Sequence, residues 1–529
     1  MQATPIQTFQ RWKDAQKALD YAIQHYFEST VALRASIHSR NYPIESLSVR
    51  DTLAESWVNA PIPDKDSQLA QAQVHLNLMH NSVLLVNTLP HELLLRIFRF
   101  AALSAVHNQP EPMISNSSER VDFKDLLVLT SVCSHWRSIL LESASFWSRF
   151  ELDTRNSIET ECQRAGIFLD RARGAPQSLF INERSSRYFQ NGDFETILEM
   201  IGSRLDDLTQ LALLNIPDFE LVMQVILHLL KLGKPGVLRT LTIHMETHIQ
   251  APEFISTGDA ELVEQAASIL APIDSLSLRG VKFAWDSPVY HNLVQLQIGN
   301  IPYESSPHVR DILDILFACP LLRMLRISNM TILQGDTTPL EPVYLTQLEH
   351  LDLIALTYES LDLLLPLIVP QSKDLSLRIT LLAFEDHLAS AIHSFLKRTN
   401  VTRLFLQQDL IRRCLPAIPD LHALVIDLCE QPGGPCLSEF SYRNGSDDCL
   451  IPRCPNLHTL HFYSGSVTVD AVQEIIKIHP RIQKLRFSSC YVDPFEDELR
   501  HWLQPYVEDV EFHSTLNDAA IPEWIQYMV

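Results

Sequence analysis

The chain has 529 residues, 46% apolar and 20% charged, a balance that excludes a disordered protein and a length that calls for several domains or a repeat array. Acidic residues outnumber basic ones 64 to 42, and the formal charge of -22 argues against general nucleic-acid binding. Nine scattered cysteines and no long apolar run exclude a disulfide scaffold and a membrane span, so a cytoplasmic or nuclear protein without a membrane partner is expected.

Residues 1–85 read as helical. From Phe9 to His38, Trp12, Leu19, Tyr21, Ile23, Tyr26, Phe27 and Val31 recur at three-to-four spacing. Pro43, Pro61 and Pro63 then break the pattern, and a second helix is expected over Asp66 to Leu84. The apolar stripe suits either a helical hairpin or a coiled-coil element. The next helix is expected over Val86 to Ala102, with Thr88 as cap, Pro90 in the first turn and Glu92 at the positive end of the dipole. Polar and breaker residues predict a loop over about 103–122. Helical spacing resumes from Asp122 to Leu141 through Leu126, Leu129, Val132, Cys133, Trp136 and Ile139, followed by a short aromatic segment, Ser143 to Leu152.

These segments contain Leu89-Pro90-x-Glu92-Leu93-x3-Ile97-Phe98, then Leu127-x4-Val132-Cys133-x2-Trp136-Arg137, then Phe146-Trp147. In order, type and spacing they resemble the F-box family over residues 86–152, in an arrangement similar to the large F-box families of mushroom-forming fungi. The resemblance implies a three-helix module that docks on a Skp-type adaptor and, through it, on cullin and RING subunits. Leu89, Pro90, Leu93, Ile97, Phe98, Val132, Cys133 and Trp136 take the adaptor-binding role by that resemblance. The insertion at about 103–122 departs from the family, whose first two helices are joined by a few residues.

Behind it a phrase recurs, apolar-x-x-Leu-x-apolar, centred on Leu211, Leu241, Leu276, Leu296, Leu325, Leu351, Leu404, Leu424, Leu460, Leu485 and Val510. Most centres lie roughly 20 to 36 residues apart, which brackets the leucine-rich-repeat period. Helical stretches alternate with the phrases: Leu221 to Leu232, Ala260 to Leu270, Val309 to Cys319, Glu385 to Lys397 and Val469 to Ile478. The expected fold is therefore α/β: N-terminal helices and a three-helix F-box, then an irregular leucine-rich-repeat solenoid over about 170–529. Its parallel sheet lies on the concave side and its helices on the convex side. Asn is usually missing after the strand, so the repeats resemble diverged ones.

Period-two alternation sends Leu325 and its equivalents to the core and Arg326 to solvent on the concave face. On the same rule His350, Asp352, Arg403, Phe405, His461, Tyr463, Lys484 and Arg486 point outward, either to contact a protein substrate or as a plain solvated face. No nucleophile elbow, phosphate loop, dinucleotide fingerprint or zinc-protease motif occurs, so no catalytic residue and no cofactor is expected. Cys429, Cys436, Cys449 and Cys454 cluster without a C-x2-C knuckle, and no metal site is expected. Taken with the resemblance, the expected role is substrate recognition within a Skp-cullin-F-box ubiquitin ligase, with a non-degradative scaffold as the alternative.

Overall fold

Each recurring phrase contributes one parallel strand, because its central and last apolar side chains share one face and can be buried only against equivalent residues of neighbouring repeats, while in most repeats its leading apolar residue just precedes the strand. The computed structural model describes residues 5–38, 85–107, 123–153, 156–172, 174–182, 191–245, 253–254, 260–335, 339–381, 389–415, 418, 420–428, 440–443, 450–493 and 496–513. The chain divides into two units, Met1–Thr88 and Leu89–Val529.

In the first unit α1 is one helix, Pro5–His38, with Trp12, Leu19 and Tyr21 exposed. The second helix expected over Asp66 to Leu84 lies outside the described residues. A 3-10 turn, Leu85–Thr88, ends this unit.

The second unit opens with α2 (His91–His107), α3 (Phe123–Val132) and α4 (Ser134–Glu142). Helix α2 starts at His91, two residues later than a Thr88 cap implies: the Pro90 carbonyl accepts the first helical bonds from Leu93 and Leu94, which leaves Thr88 outside it. It also runs past the break expected at 103, since no Gly or Pro occurs before Pro110; residues 108–122 are not described. The single helix expected over Asp122 to Leu141 is two. Cys133 is extended (φ -156, ψ 167) and caps α4, its Sγ accepting from Trp136 N at 3.4 Å.

Fourteen parallel strands follow in chain order as one sheet. They are β1 (Arg149–Asp153), β2 (Gln177–Asn182), β3 (Leu208–Ile216), β4 (Thr240–Met245) and β5 (Ser275–Arg279). Next come β6 (Gln295–Ile301), β7 (Met324–Met330), β8 (His350–Leu356), β9 (Leu375–Leu381) and β10 (Val401–Gln407). The last are β11 (Ala423–Asp427), β12 (Thr459–Thr468), β13 (Lys484–Asp493) and β14 (Asp509–His513). All eleven phrases lie on these strands. Strands β1, β2 and β9 are additional, and β1 places the last residues of the 86–152 segment inside the sheet.

Register aligns the phrases residue by residue. The row Leu296, Leu325, Leu351, Leu377, Leu404, Leu424 is fully buried, and Phe462, Phe487 and Phe512 extend the neighbouring row as stacked rings. Helices cover this apolar face with their own apolar stripes. In Phe219–Leu232, Leu221, Val222, Val225, Ile226, Leu229 and Leu230 are buried, and Asp218 caps the first turn through a 2.9 Å bond from Glu220 N. In Val469–Ile478 the buried residues are Val469, Val472, Ile475 and Ile476, with Thr468 as cap.

Four residues past the central position the backbone of seven repeats turns left-handed, at Asn215, Gly280, Asn300, Asn329, Ala355, Ser464 and Ser489. Asn and Gly tolerate that conformation best. Asn therefore does occupy this turn in three repeats, and it links them: Asn215 Nδ2 donates to Asn182 Oδ1 at 3.0 Å and Asn329 Nδ2 to Asn300 Oδ1 at 3.1 Å.

The concave face departs from expectation in its burial. Arg326 is 5% exposed, Asp352 1%, Phe405 0% and His461 1%, so these four do not point freely to solvent. Strands about 4.8 Å apart bring same-row side chains of adjacent repeats into contact, and long residues there cover one another.

Candidate functional site

Two surfaces carry the residues singled out by sequence. The first is the three-helix module. Its interior holds Leu94 and Phe98 from α2, Leu126 from α3 and Ile139 and Leu140 from α4, all buried. Phe98 packs on Trp136 with ring centroids 4.8 Å apart. Trp147 is fully buried, its indole Nε1 donating to Leu140 O at 2.7 Å, and its ring meets Phe168 at 4.9 Å. Phe168 belongs to α5 (Ile158–Arg171), which also packs Phe150 of β1, so the module and the first repeat share one set of aromatic contacts.

Outside that interior the module presents apolar side chains to solvent. Leu93, Ile97 and Phe100 stand on one face of α2 at i, i+4 and i+7, exposed by 47%, 43% and 56%. On α3 Leu127, Val128 and Val132 are exposed by 52%, 58% and 53%. Six large apolar residues left in water on two short helices are a mark of an interaction surface. Of the eight residues assigned by resemblance, Pro90, Leu93, Ile97 and Val132 are exposed, Leu89 and Trp136 are half-buried, and Phe98 and Cys133 are buried in this chain. Phe98 and Cys133 thus pack inside the module rather than on its surface, Leu127 of the motif is exposed beside Val132, and Phe100 and Val128 are exposed apolar residues that the motif did not single out.

The second surface is the concave face. Its middle row runs Gln297, Arg326, Asp352, Arg378, Phe405, Val425, His461, Arg486, Glu511 on successive strands. Arg326 pairs with Asp352, and the Arg378 guanidinium lies 4.4 Å over the Phe405 ring. His461 Nε2 sits 2.8 Å from Ser488 Oγ, and Arg486 pairs with Glu511 at 2.9 Å. The row before it contains His350, Arg403 and Lys484, the row after it Tyr463. His350 and Arg403 line a cavity of about 470 Å³ together with Glu349 and Asp374, and Asp374 pairs with Arg403 at 3.3 Å. Lys484 is exposed.

Burial sets the charge states of the face. Burial, with the cations Arg279 and Arg326 nearby, pushes His244 down to about 3, so its ring is neutral and shares a 2.9 Å hydrogen bond with Ser277. Burial also lowers Arg378 to about 10, still a cation at neutral pH. Of the cysteine cluster, Cys454 is buried and donates to Ile418 O at 3.4 Å, while Cys429, Cys436 and Cys449 lie outside the described residues. Among the described residues no group of three or more His, Cys, Asp or Glu side chains could hold a metal ion, and no helix is long and apolar enough to cross a membrane.

Residues 86–153 match the family model described as F-box-like. The chain therefore carries an F-box-like domain, followed by a parallel repeat solenoid. No curated protein matches the chain. Among solved structures, a Bacteroides fragilis protein determined by a structural genomics consortium aligns over 64% of this chain and 88% of its own, at 11% identity and a TM-score of 0.32.

Proposed function

We propose that this chain is the substrate-recognition subunit of a Skp-cullin-F-box ubiquitin ligase. The observation that carries the reading is the F-box-like match over 86–153 on a module whose Leu93, Ile97, Leu127 and Val132 are folded in place yet left exposed. An apolar partner surface removes that area from water, each such side chain contributing about 1 to 3 kcal/mol. In this reading Leu89, Pro90, Leu93, Ile97, Val132 and the half-buried Trp136 contact a Skp-type adaptor, which links the chain to cullin and RING subunits. The solenoid presents its concave face to a protein client, and the chain itself performs no catalysis. Shared packing of Trp147, Phe150 and Phe168 supports transmission of a fixed geometry from adaptor to client. Affinity purification of the full chain with the proteasome blocked tests the role. Recovery of a Skp-type adaptor with ubiquitinated proteins supports it, and recovery without any adaptor contradicts it.

A further inference from the structure

The solenoid ends on β14, which pairs with β13 on one side and, among the described residues, with no strand on the other. This end is apolar. Leu485 and Phe487 of β13 are 0% and 1% exposed, whereas their register partners Val510 and Phe512 of β14 are only half-buried. Position and residue type are the same, and what differs is that Leu485 and Phe487 are covered by a following strand. The ring stack that runs through Phe462 and Phe487 stops at Phe512, 4.6 Å from Phe487. Beyond the helix Glu496–Leu503, Tyr506 is 55% exposed, its ring stacked on Trp502 at 4.6 Å. A repeat stack needs a terminal element with an apolar inner and a polar outer face, and an open strand edge is a template for unwanted pairing.

The chain that follows carries a complement to this face. Residues 514–529 lie outside the described ones, and their sequence sets Ile521, Trp524, Ile525 and Met528 at i, i+3, i+4 and i+7, the spacing of one helix face. Pro522 and Glu523 suit a first helical turn, and Glu523 and Gln526 fall on the opposite side. As a helix, residues 522–529 span about 12 Å, and the linker 514–520 reaches about 23 Å when extended, enough to turn back from His513 to the outer side of β14.

We infer that residues 521–529 are the terminal cap of the solenoid, with Ile521, Trp524, Ile525 and Met528 packed over Val510 and Phe512 and with Glu523 and Gln526 facing solvent. A second copy of the chain is the poorer occupant. Strand β14 carries Asp509 and Glu511, so two copies meeting edge to edge set like charges opposite one another. The tethered segment instead meets this face at an effective concentration on the order of millimolar. The cap stands independently of the receptor reading, and it keeps the end of a long parallel sheet from pairing with other chains.

Hydrogen exchange of the full-length chain, read by mass spectrometry on peptides covering β14, tests the cap. Trp524→Asp and Ile525→Asp place a charge in the packed face and are expected to speed exchange of the β14 amides about tenfold, a loss of about 1.4 kcal/mol of protection. Gln526→Asp adds the same charge on the outer side and Trp524→Phe keeps an apolar ring, so both stay at the wild-type rate. Exchange in β4 to β8 is unchanged in every variant, since solenoid stability is local, and this confirms folding. Should Trp524→Asp fail to fold, Ile525→Asp and Ile525→Ala decide the outcome. Equal β14 exchange in wild type and both inner-face aspartate variants overturns the inference. So does a Gln526→Asp chain that exchanges as fast as Trp524→Asp, which denies the helical face. A wild type whose light-scattering mass is a dimer's and falls to a monomer's in Trp524→Asp also overturns it, because the face then belongs to a second copy.

Discussion

Arg326 on β7 holds Asp352 on β8 through both Nε and Nη2, each 2.8 Å from Oδ2, with the two side chains only 6% and 2% exposed. Both belong to the concave row that period-two alternation assigns to solvent. Their burial makes the pair structural as well as electrostatic, and it overturns the expectation that Arg326 points to solvent.

Removing one partner leaves a buried charge unpaired. Arg326→Ala is expected to destabilise the solenoid by about 3 to 5 kcal/mol, read from urea unfolding, and Arg326→Asp by at least as much. The double variant Arg326→Leu with Asp352→Leu should recover most of the loss. A single variant within about 0.5 kcal/mol of wild type would show that the pair is not buried in solution.

The left-handed turn at Asn329 (φ 47) gives a second prediction. Asn329→Ala forces a Cβ-bearing residue without a local hydrogen bond into that region and removes the 3.1 Å bond to Asn300, so a loss of about 1 to 2 kcal/mol is expected. Asn329→Gly should lose less, because the conformation itself is free for glycine. Equal losses in the two variants would assign the whole effect to the side-chain bond.

His244 makes stability depend on pH. Its folded value of about 3 lies below the unfolded value near 6.5, so between these limits the unfolded chain binds the extra proton and stability falls as pH drops. The slope from this residue approaches about 1.4 kcal/mol per pH unit in that window and vanishes above pH 7. His244→Asn, which can still bond Ser277, should flatten the unfolding free energy between pH 6 and 4 by roughly that slope. An unchanged slope would place the titration elsewhere.

Much of the solenoid is legible from sequence because Leu and Ile recur at positions that no other fold would bury together. Strands β1, β2 and β9 escape the pattern for local reasons. At β9 the leading apolar position is Asp374, at β2 it is Pro176, and at β1 the central Leu is replaced by Phe150. The three-helix module is legible in its motif but not in its facing. Phe98 and Leu93 are both apolar residues of α2, and only packing against Trp136 tells which one turns inward. On the concave face, alternation says which side a residue takes and says nothing about what covers it. Asp352 and His461 therefore read as exposed although their neighbours bury them.

In the proposed role, exposed apolar residues of α2 and α3 dock on a Skp-type adaptor. The most direct measurement compares adaptor affinity and thermal unfolding for Leu93→Asp, Val132→Asp and Phe98→Asp. Because Leu93 and Val132 are exposed, their variants should melt like wild type yet bind adaptor roughly a hundredfold more weakly, a loss of about 3 kcal/mol from placing a charge in an apolar contact. Phe98→Asp should instead unfold the module, since its side chain is fully buried. Undiminished adaptor affinity in folded Leu93→Asp and Val132→Asp variants would contradict the account.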